Sequence, residues 1–289
     1  ESLLDFYPGE SGRTFEGQIL EILTERWRSA TQAKSNRYPG LPFDTEGLDS
    51  IQVRKKTYQK FVKDFLRCAA AIDDNIGKML DYLKENNLAD NTVIIYTADQ
   101  GYFLGEHGMM DKRMFLEESL RMPFVIKYSK EIPANKRIDD IILNIDFPSL
   151  LLDYAGVSQP DSFQGKSFRS NLMLKTPSDW RKSMYYRYYA HAENRPSHMG
   201  IRTNQHKLIF YYGHPLGLKG IYTKKTTPPA WEYYDLENDP MELSNQYNNF
   251  ENKKIISQLK RDLLNLRTEL GDEKTDSDEL KDILENHWE

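Results

Sequence analysis

Apolar side chains at Tyr58, Phe61, Val62, Phe65, Ala69, Ile72, Ile76, Met79, Leu80 and Leu83 recur at spacings of three and four. That is the period that places side chains on one face of an α-helix. The spacing predicts a long amphipathic helix ending near Asn86 and Asn87. A short turn at Asp90 and Asn91 then leads into Thr92-Val-Ile-Ile-Tyr-Thr-Ala98. This run is too continuously apolar and β-branched for a half-exposed hairpin strand, and reads as a buried parallel strand. A helix delivered straight into such a strand commits the chain to an α/β layer with helices covering a sheet.

The following segments extend that layer. Pro123 to Tyr128 reads as a second strand, and Ile141 to Asp146 as an extended piece before a helix from Pro148 to Ala155. Gly156 stands where a helix C-cap belongs. After Ser158 the texture changes. Ser183–Ala190, Gly200–Arg202, His206–Tyr212 and Trp231–Leu236 read as short strands, joined by turn formers at Asn204, Gly213, Gly217 and Asn238-Asp-Pro240. Ten of the 18 tyrosines lie beyond residue 180, which separates the two textures further. Ile255, Ile256, Leu259, Leu263, Leu266 and Leu270 mark one amphipathic helix at the end. The expected organisation is therefore an α/β domain over residues 1–158 and an antiparallel-sheet-plus-helix subdomain over 159–289. The first 50 residues, rich in Pro and Gly around a possible helix from Phe15 to Arg28, read as irregular structure.

Composition removes several functional classes. The net charge of −5 argues against nucleic acid or an anionic membrane as the main partner. The carboxylates from Asp272 to Glu289 outnumber Lys274 and Lys281 and account for that balance, so the tail reads as a solvated acidic end. Cys68 is the only cysteine, so neither an intrachain disulfide framework nor a multi-thiolate zinc site is possible. On the apolar side of the long helix, it reads as a buried thiol. No run of about 18 apolar residues occurs, so no transmembrane segment is expected. Residue 1 is Glu, without a leader, and reads as a cut edge.

In an open α/β sheet, ligands gather at the carboxyl ends of the strands. The strand ending at Ala98 brings Asp99 and Gln100 to that edge, ahead of Gly101, Gly105 and Gly108 and the charged groups Glu106, His107, Asp111 and Lys112. A carboxylate beside a side-chain amide offers two hard oxygens of the kind Ca²⁺ or Mg²⁺ takes. Taken alone, Asp99 reads as a loop cap ahead of a metal ligand. The glycines do not fit a dinucleotide fingerprint, and Glu106-His107 lacks the second histidine of a zincin helix.

Tyr96-Thr-Ala-Asp-Gln-Gly-Tyr-Phe-Leu-Gly-Glu-His-Gly108, with Lys112, Glu117, Arg121 and Pro123 at fixed offsets, resembles the second signature region of the type I, formylglycine-dependent sulfatases. Ala71-Ile-Asp-Asp-Asn-Ile-Gly77, Asn144-Ile-Asp146, Gly200-Ile-Arg-Thr203, Lys207-Leu-Ile209 and Tyr234-Asp-Leu-Glu-Asn-Asp-Pro240 resemble other landmarks of that family. The resemblance implies an alkaline-phosphatase-like α/β fold in part, a mixed sheet flanked by helices, followed by a small C-terminal α+β domain. It implies Asp99 and Gln100 as ligands of a divalent cation, calcium ahead of magnesium, and Lys112 as the lysine that binds the sulfate ester. His107 falls near the sulfate in glycan-acting members, with loop packing the alternative. Glu117 and Arg121 match a structural pair beneath the loop. His198, and less strongly His191, precede or lie near a strand that faces the substrate opening. The Tyr185, Tyr186, Tyr188 and Tyr189 group offers sugar-stacking faces or core packing.

The implied activity is hydrolysis of sulfate monoesters on a sulfated carbohydrate. The implied compartment is periplasmic, extracellular or lysosomal. A phosphoester hydrolase of the same superfamily and a non-catalytic binding protein are the alternatives. The family's nucleophile is a formylglycine made within a C/S-x-P/A-x-R motif. Cys68 is followed at the corresponding positions by Ala70 and by Ile72, which stands where the motif needs Arg, and no serine fits either. The formylglycine, the paired aspartates that complete the metal site and the leaving-group histidine are therefore expected upstream.

Overall fold

The computed structural model describes residues 46–192, 195–216 and 225–289. The possible helix from Phe15 to Arg28 and the turn at Gly217 lie outside them. In chain order the regular elements are α1 (Ser50–Glu85), β1 (Ile94–Thr97), β2 (Phe103–Leu104), β3 (Met110–Asp111), α2 (Glu117–Leu120), β4 (Phe124–Lys127), α3 (Phe147–Ala155), α4 (Arg169–Leu172), β5 (Ser183–Tyr188), β6 (His198–Thr203), β7 (His206–Tyr211), β8 (Ala230–Asp235), α5 (Lys253–Leu270) and α6 (Asp278–His287). They divide into two compact units. One holds the described residues up to Ile94 together with Tyr102–Lys112, and the other holds Ile95–Gly101 and Arg113–Glu289.

In the first unit, α1 begins with a capping box. The Asp49 carboxylate accepts the Gln52 N–H at 2.8 Å, and the Gln52 side chain accepts the Asp49 N–H at 3.1 Å. At 36 residues and a rise of 1.5 Å each the helix is about 54 Å long. Its periodicity holds, but its burial does not follow. Phe65, Leu66, Ile72, Met79 and Tyr82 are exposed, and so is Cys68. The expectation of a buried thiol is corrected for that reason: within α1 only Thr57 is buried. The remainder of this unit is a hairpin in which β2 pairs antiparallel with β3, Phe103 opposite Asp111.

In the second unit, β1 pairs with β4, and the Thr97 hydroxyl donates to the Pro123 carbonyl at 2.9 Å. One face of this pair rests on Leu150, Phe168, Leu172 and Trp180, with Ile95, Phe124, Ile126 and Phe147 packed around them. The Phe124 ring lies 5.1 Å from Phe147 and 5.4 Å from Phe168. The other face carries Tyr96 and Val125, the latter 63% exposed. A run expected to be covered on both sides is thus covered on one by the described residues. Helix α3 starts on Pro148 in its first turn and ends on Gly156 at φ 68°, the left-handed conformation that glycine adopts without strain.

The remaining strands form one antiparallel meander in the order β5-β6-β7-β8. Alternate inward residues Met199, Ile201, Leu208, Phe210, Trp231 and Tyr233 meet Ile256, Leu259 and Leu263 of α5. The acidic tail departs from its expected solvated state in part. Ser277 caps α6 by accepting the Leu280 N–H at 3.2 Å, and Leu280 and Ile283 enter the same core. Asp272 and Asp276 are paired, Asp272 with Arg187 at 2.7 Å and Arg267 at 3.2 Å, Asp276 with Arg187 at 3.2 Å and Arg267 at 2.5 Å. Burial raises the Asp272 pKa, but the Tyr185 hydroxyl, Arg187, Tyr189 and Arg267 outweigh it and hold the carboxyl below its ordinary value. These two carboxylates are internal structure, whereas Glu273, Asp278, Glu279, Asp282, Glu285 and Glu289 stay exposed as expected.

Candidate active site

The end of β1 hands the chain to Asp99 and Gln100, the first exposed and the second half-buried. A cleft of about 530 Å³ opens there, lined by Thr97, Ala98, Asp99, Asn144, Ile145 and Phe147. Gly101 follows because nothing larger fits. A Cβ at that position would stand 2.1 Å from the Glu118 carbonyl oxygen, and the Gly101 N–H donates to the Ser119 carbonyl at 2.9 Å. Asn144 closes the opposite side by donating its side-chain amide to the Asp99 carbonyl oxygen at 3.2 Å.

Asn144 itself is held from below. Asp146, fully buried, accepts the Leu143 and Lys166 N–H groups at 2.8 Å each and forms a two-pronged ion pair with Arg181.

His107 and Lys112 belong to the other unit. His107 sits at φ 54° in the turn between Gly105 and Gly108, with the Phe103 ring edge-on at 6.0 Å. The Glu106 carboxylate accepts the Leu104 N–H at 2.6 Å and tightens the hairpin. Lys112 is half-buried and stands between two non-glycine residues of positive φ, Asp111 at 82° and Arg113 at 103°. Such backbone costs about 1–3 kcal/mol per residue and persists only where surrounding contacts impose it. Those contacts are visible at Arg113: its N–H donates to the Ser119 hydroxyl at 2.8 Å and its carbonyl accepts from the Tyr186 hydroxyl at 2.9 Å.

Beyond Arg113 the chain is anchored by buried charge. Glu117 accepts two bonds from Arg202, at 2.8 and 2.9 Å, and pairs with Lys207 at 2.9 Å; Lys207 pairs in turn with Glu242 at 2.5 Å. The Glu117 backbone N–H donates to the Glu242 carboxylate at 2.7 Å. Burial raises the Glu117 pKa, but the hydrogen bond from Arg202 and the charges of Lys207 and Arg202 win, leaving it at about 2. The expected partner Arg121 is mostly exposed and only 3.9 Å away, so the pairing beneath the loop is made chiefly with Arg202 and Lys207.

His198 is fully buried on β6. Its Nδ1 lies 2.7 Å from the Pro196 carbonyl, and the rings of Tyr186, Tyr188 and Tyr211 surround it at 5.2–5.8 Å. Burial lowers its pKa to about 4. His191 is also buried and accepts the Ser197 N–H at 3.3 Å. The tyrosines divide as well: Tyr186 stacks on Phe115 at 5.1 Å, whereas Tyr185 and Tyr189 donate to Asp272.

The structure thus joins Asp99 and Gln100 on one turn and places His107 and Lys112 on one hairpin. Asn144, quoted above only as a landmark, was not singled out for the site. The signal for it was its position two residues before the buried Asp146 and just ahead of the Phe147-Pro148 helix start.

A family profile described as the C-terminal region of N-sulphoglucosamine sulphohydrolase matches residues 105–269, and a profile described as sulfatase matches residues 24–157. The chain belongs to the sulfatase family. An N-acetylglucosamine-6-O-sulfatase of Bacteroides thetaiotaomicron is 40% identical over 231 residues, which are 78% of this chain and 39% of that protein. An arylsulfatase of Clostridium perfringens is 28% identical, over 73% of this chain and 41% of that protein. A solved sulfated-glucosamine complex, described as bound to its substrate D-glucosamine-2-N,6-O-disulfate, is 37% identical with a TM-score of 0.69, over 87% of this chain and 48% of that one. The sulfatase chain therefore spans less than half the length of these relatives. Its fold is the alkaline-phosphatase-like α/β type of the family.

Asp99 and Gln100 fit the hard cation such a sulfatase uses, since a carboxylate and an amide oxygen are ligand types that Ca²⁺ favours. Two such groups are fewer than the roughly six to eight oxygens Ca²⁺ takes. Among the described residues no group of three or more His, Cys, Asp or Glu side chains is arranged to hold a metal. Among the same residues no helix is long and apolar enough to cross a membrane.

Proposed function

We propose that this chain carries the cation-binding turn and the sulfate-binding lysine of a sulfuric ester hydrolase, and that the whole protein removes 6-O-sulfate from a glucosamine-type residue of a sulfated glycan. The observation that carries the reading is the turn at the end of β1. There Asp99 and Gln100 are fixed by Asn144 and by the tight approach of Gly101, and Asp99 lines an open cleft. The 40% identity to an N-acetylglucosamine-6-O-sulfatase supports the substrate class.

In sulfuryl transfer, negative charge gathers on the peripheral sulfate oxygens and on the leaving alcohol. An ammonium group held in place by a strained, anchored hairpin offsets that charge without reorganising as it develops, which is the usual source of large electrostatic rate effects. Lys112 takes that role. Asp99 and Gln100 bind Ca²⁺, ahead of Mg²⁺, and the bound ion supplies Lewis-acid stabilisation of the same oxygens. His107, rigid in its glycine-flanked turn, contacts the sugar near the sulfate, and His198 supports the wall of the substrate opening. The C/S-x-P/A-x-R motif that would yield the formylglycine nucleophile does not occur in these 289 residues, so the nucleophile comes from elsewhere in the protein. The enzyme works outside the cytosol, in a periplasmic, extracellular or lysosomal setting.

The test is a release assay with the full-length protein on 6-O-sulfated N-acetylglucosamine, N-sulfated glucosamine, 4-nitrophenyl sulfate and 4-nitrophenyl phosphate. Sulfate release fastest from the 6-O-sulfated sugar is expected. Phosphate release exceeding sulfate release from every substrate would overturn the proposal.

A further inference from the structure

We infer that Asn144 is a positioning residue for the Asp99–Gln100 pair, acting through the Asp99 carbonyl oxygen. The inference deepens the reading of Asp99 and Gln100 as cation ligands and rests on it.

Asp99 lies just beyond β1 and lines the cleft as an exposed side chain, so packing alone does not fix the two residues. Their backbone is restrained on both flanks. On the far side, the Gly101 N–H is tied to Ser119, and the Glu118 carbonyl leaves no room for a side chain. On the near side the restraint is the 3.2 Å bond from the Asn144 amide to the Asp99 carbonyl. That carbonyl belongs to the peptide joining Asp99 to Gln100. Rotation of this one peptide plane changes the relation between the two side chains, so holding its oxygen holds the pair.

An exposed asparagine could not impose such a restraint unless it were itself rigid. Asn144 begins the single 3₁₀ turn Asn144–Asp146, and the last residue of that turn is fully buried and bound by Arg181, Leu143 and Lys166. Gly165 adds to this, because a Cβ there would stand 1.9 Å from the Ile145 carbonyl oxygen. The rigidity of the Arg181–Asp146 pair thus passes through two residues to the carbonyl of Asp99. Asn144 also lines the cleft beside Asp99, which keeps its restraint at the site rather than beneath it.

The experiment compares Asn144→Ala, Asn144→Asp and Asn144→Ser with Asp99→Ala in the full-length protein. Calcium affinity is measured by titration calorimetry on metal-free protein, and the thermal midpoint is measured without calcium. Loss of one hydrogen bond of ordinary strength weakens calcium binding about three- to tenfold in Asn144→Ala. Asn144→Ser, which keeps a donor, recovers part of the affinity. Asn144→Asp adds a negative charge yet lacks the donor, so a gain in affinity above the parent would show charge, not positioning, to be what matters and would overturn the inference. Parent-like affinity in Asn144→Ala, with Asp99→Ala clearly weakened, would also overturn it. A fall in affinity matched by a large fall in the calcium-free thermal midpoint would reduce Asn144 to a general stabilising role and count against it. Parent-like affinity in Asp99→Ala would instead reject the cation reading itself.

Discussion

The β1–β4 pair and the four-stranded meander are built from similar residues and are held in opposite ways. In the meander, Met199, Ile201, Leu208 and Phe210 lose all solvent exposure beneath α5 and α6, and each strand has neighbours in perfect register. In the β1–β4 pair every residue keeps some exposure, one face is covered, and Val125 stands largely open on the other. The candidate ligands come from the second region. Where apolar packing is thin, the turn after β1 is fixed by directed hydrogen bonds, from Thr97 to Pro123, from Asn144 to Asp99 and from Gly101 to Ser119. On the proposed function, the meander serves stability and the candidate site residues lie outside it, so substitutions should separate the two.

The largest effect that sharpens this contrast is expected at Lys112. Lys112→Ala in the full-length protein should lower kcat for a sulfate monoester by about 10²–10³-fold, the usual cost of removing one preorganised charge-stabilising group, while the thermal midpoint stays near the parent value. Turnover within twofold of the parent would remove Lys112 from the site. The opposite pattern is expected in the meander. Leu280 is fully buried against α5 and the sheet, so Leu280→Ala should cost about 2–4 kcal/mol in a denaturant titration. The specific activity of the protein that remains folded should be unchanged, and a cost below about 1 kcal/mol would return α6 to the status of a loosely attached tail.

A smaller effect concerns acid. The Glu117 carboxyl lies at about 2 against an ordinary 4.5, so its stabilising contribution is present above pH 4.5 and is lost as pH falls toward 2. Glu117→Gln should destabilise the protein at neutral pH and flatten the acid limb of the stability curve over that window. An unchanged limb would break the link between the buried network and the loop beyond Lys112. The smallest effect belongs to His198. Its pKa of about 4 against 6.5 means that the unfolded chain takes up the proton first as pH falls. Stability should decline between pH 6.5 and 4 by at most about 1.4 kcal/mol per unit from this group, and His198→Gln should remove that slope.

The sequence carries the elements that local signals specify. The 3.6-residue period of α1, the Tyr- and Ile-rich strands of the meander and the Gly156 cap are all local signals; the strands and the cap meet their expected segments within a few residues, and α1 ends as expected but begins at Ser50, ahead of the periodic run from Tyr58. The candidate turn at Asp99 is readable as a local pattern, since the glycine at 101 and the two oxygen-bearing side chains before it are consecutive. What stayed hidden depended on distant partners. The tail was read from its carboxylates, although Asp272 and Asp276 are neutralised by arginines at 187 and 267 and Leu280 faces a core built 70 residues earlier. Glu117 was assigned the nearest cation, four residues away, whereas its stronger partners stand at 202 and 207. Cys68 was judged by its own helix, and helical period states where a face is but not what covers it.

The Glu117–Arg202–Lys207–Glu242 cluster also limits how this protein can drift. Two acids and two bases, drawn from α2, β6, β7 and the turn after β8, cancel one another out of water. Any single exchange strands a charge there at a cost of roughly 3–5 kcal/mol, while a matched apolar replacement of a pair is close to neutral. Descendants of this sequence are therefore expected to change these positions in matched pairs rather than singly, and the loop that follows Lys112 inherits that constraint.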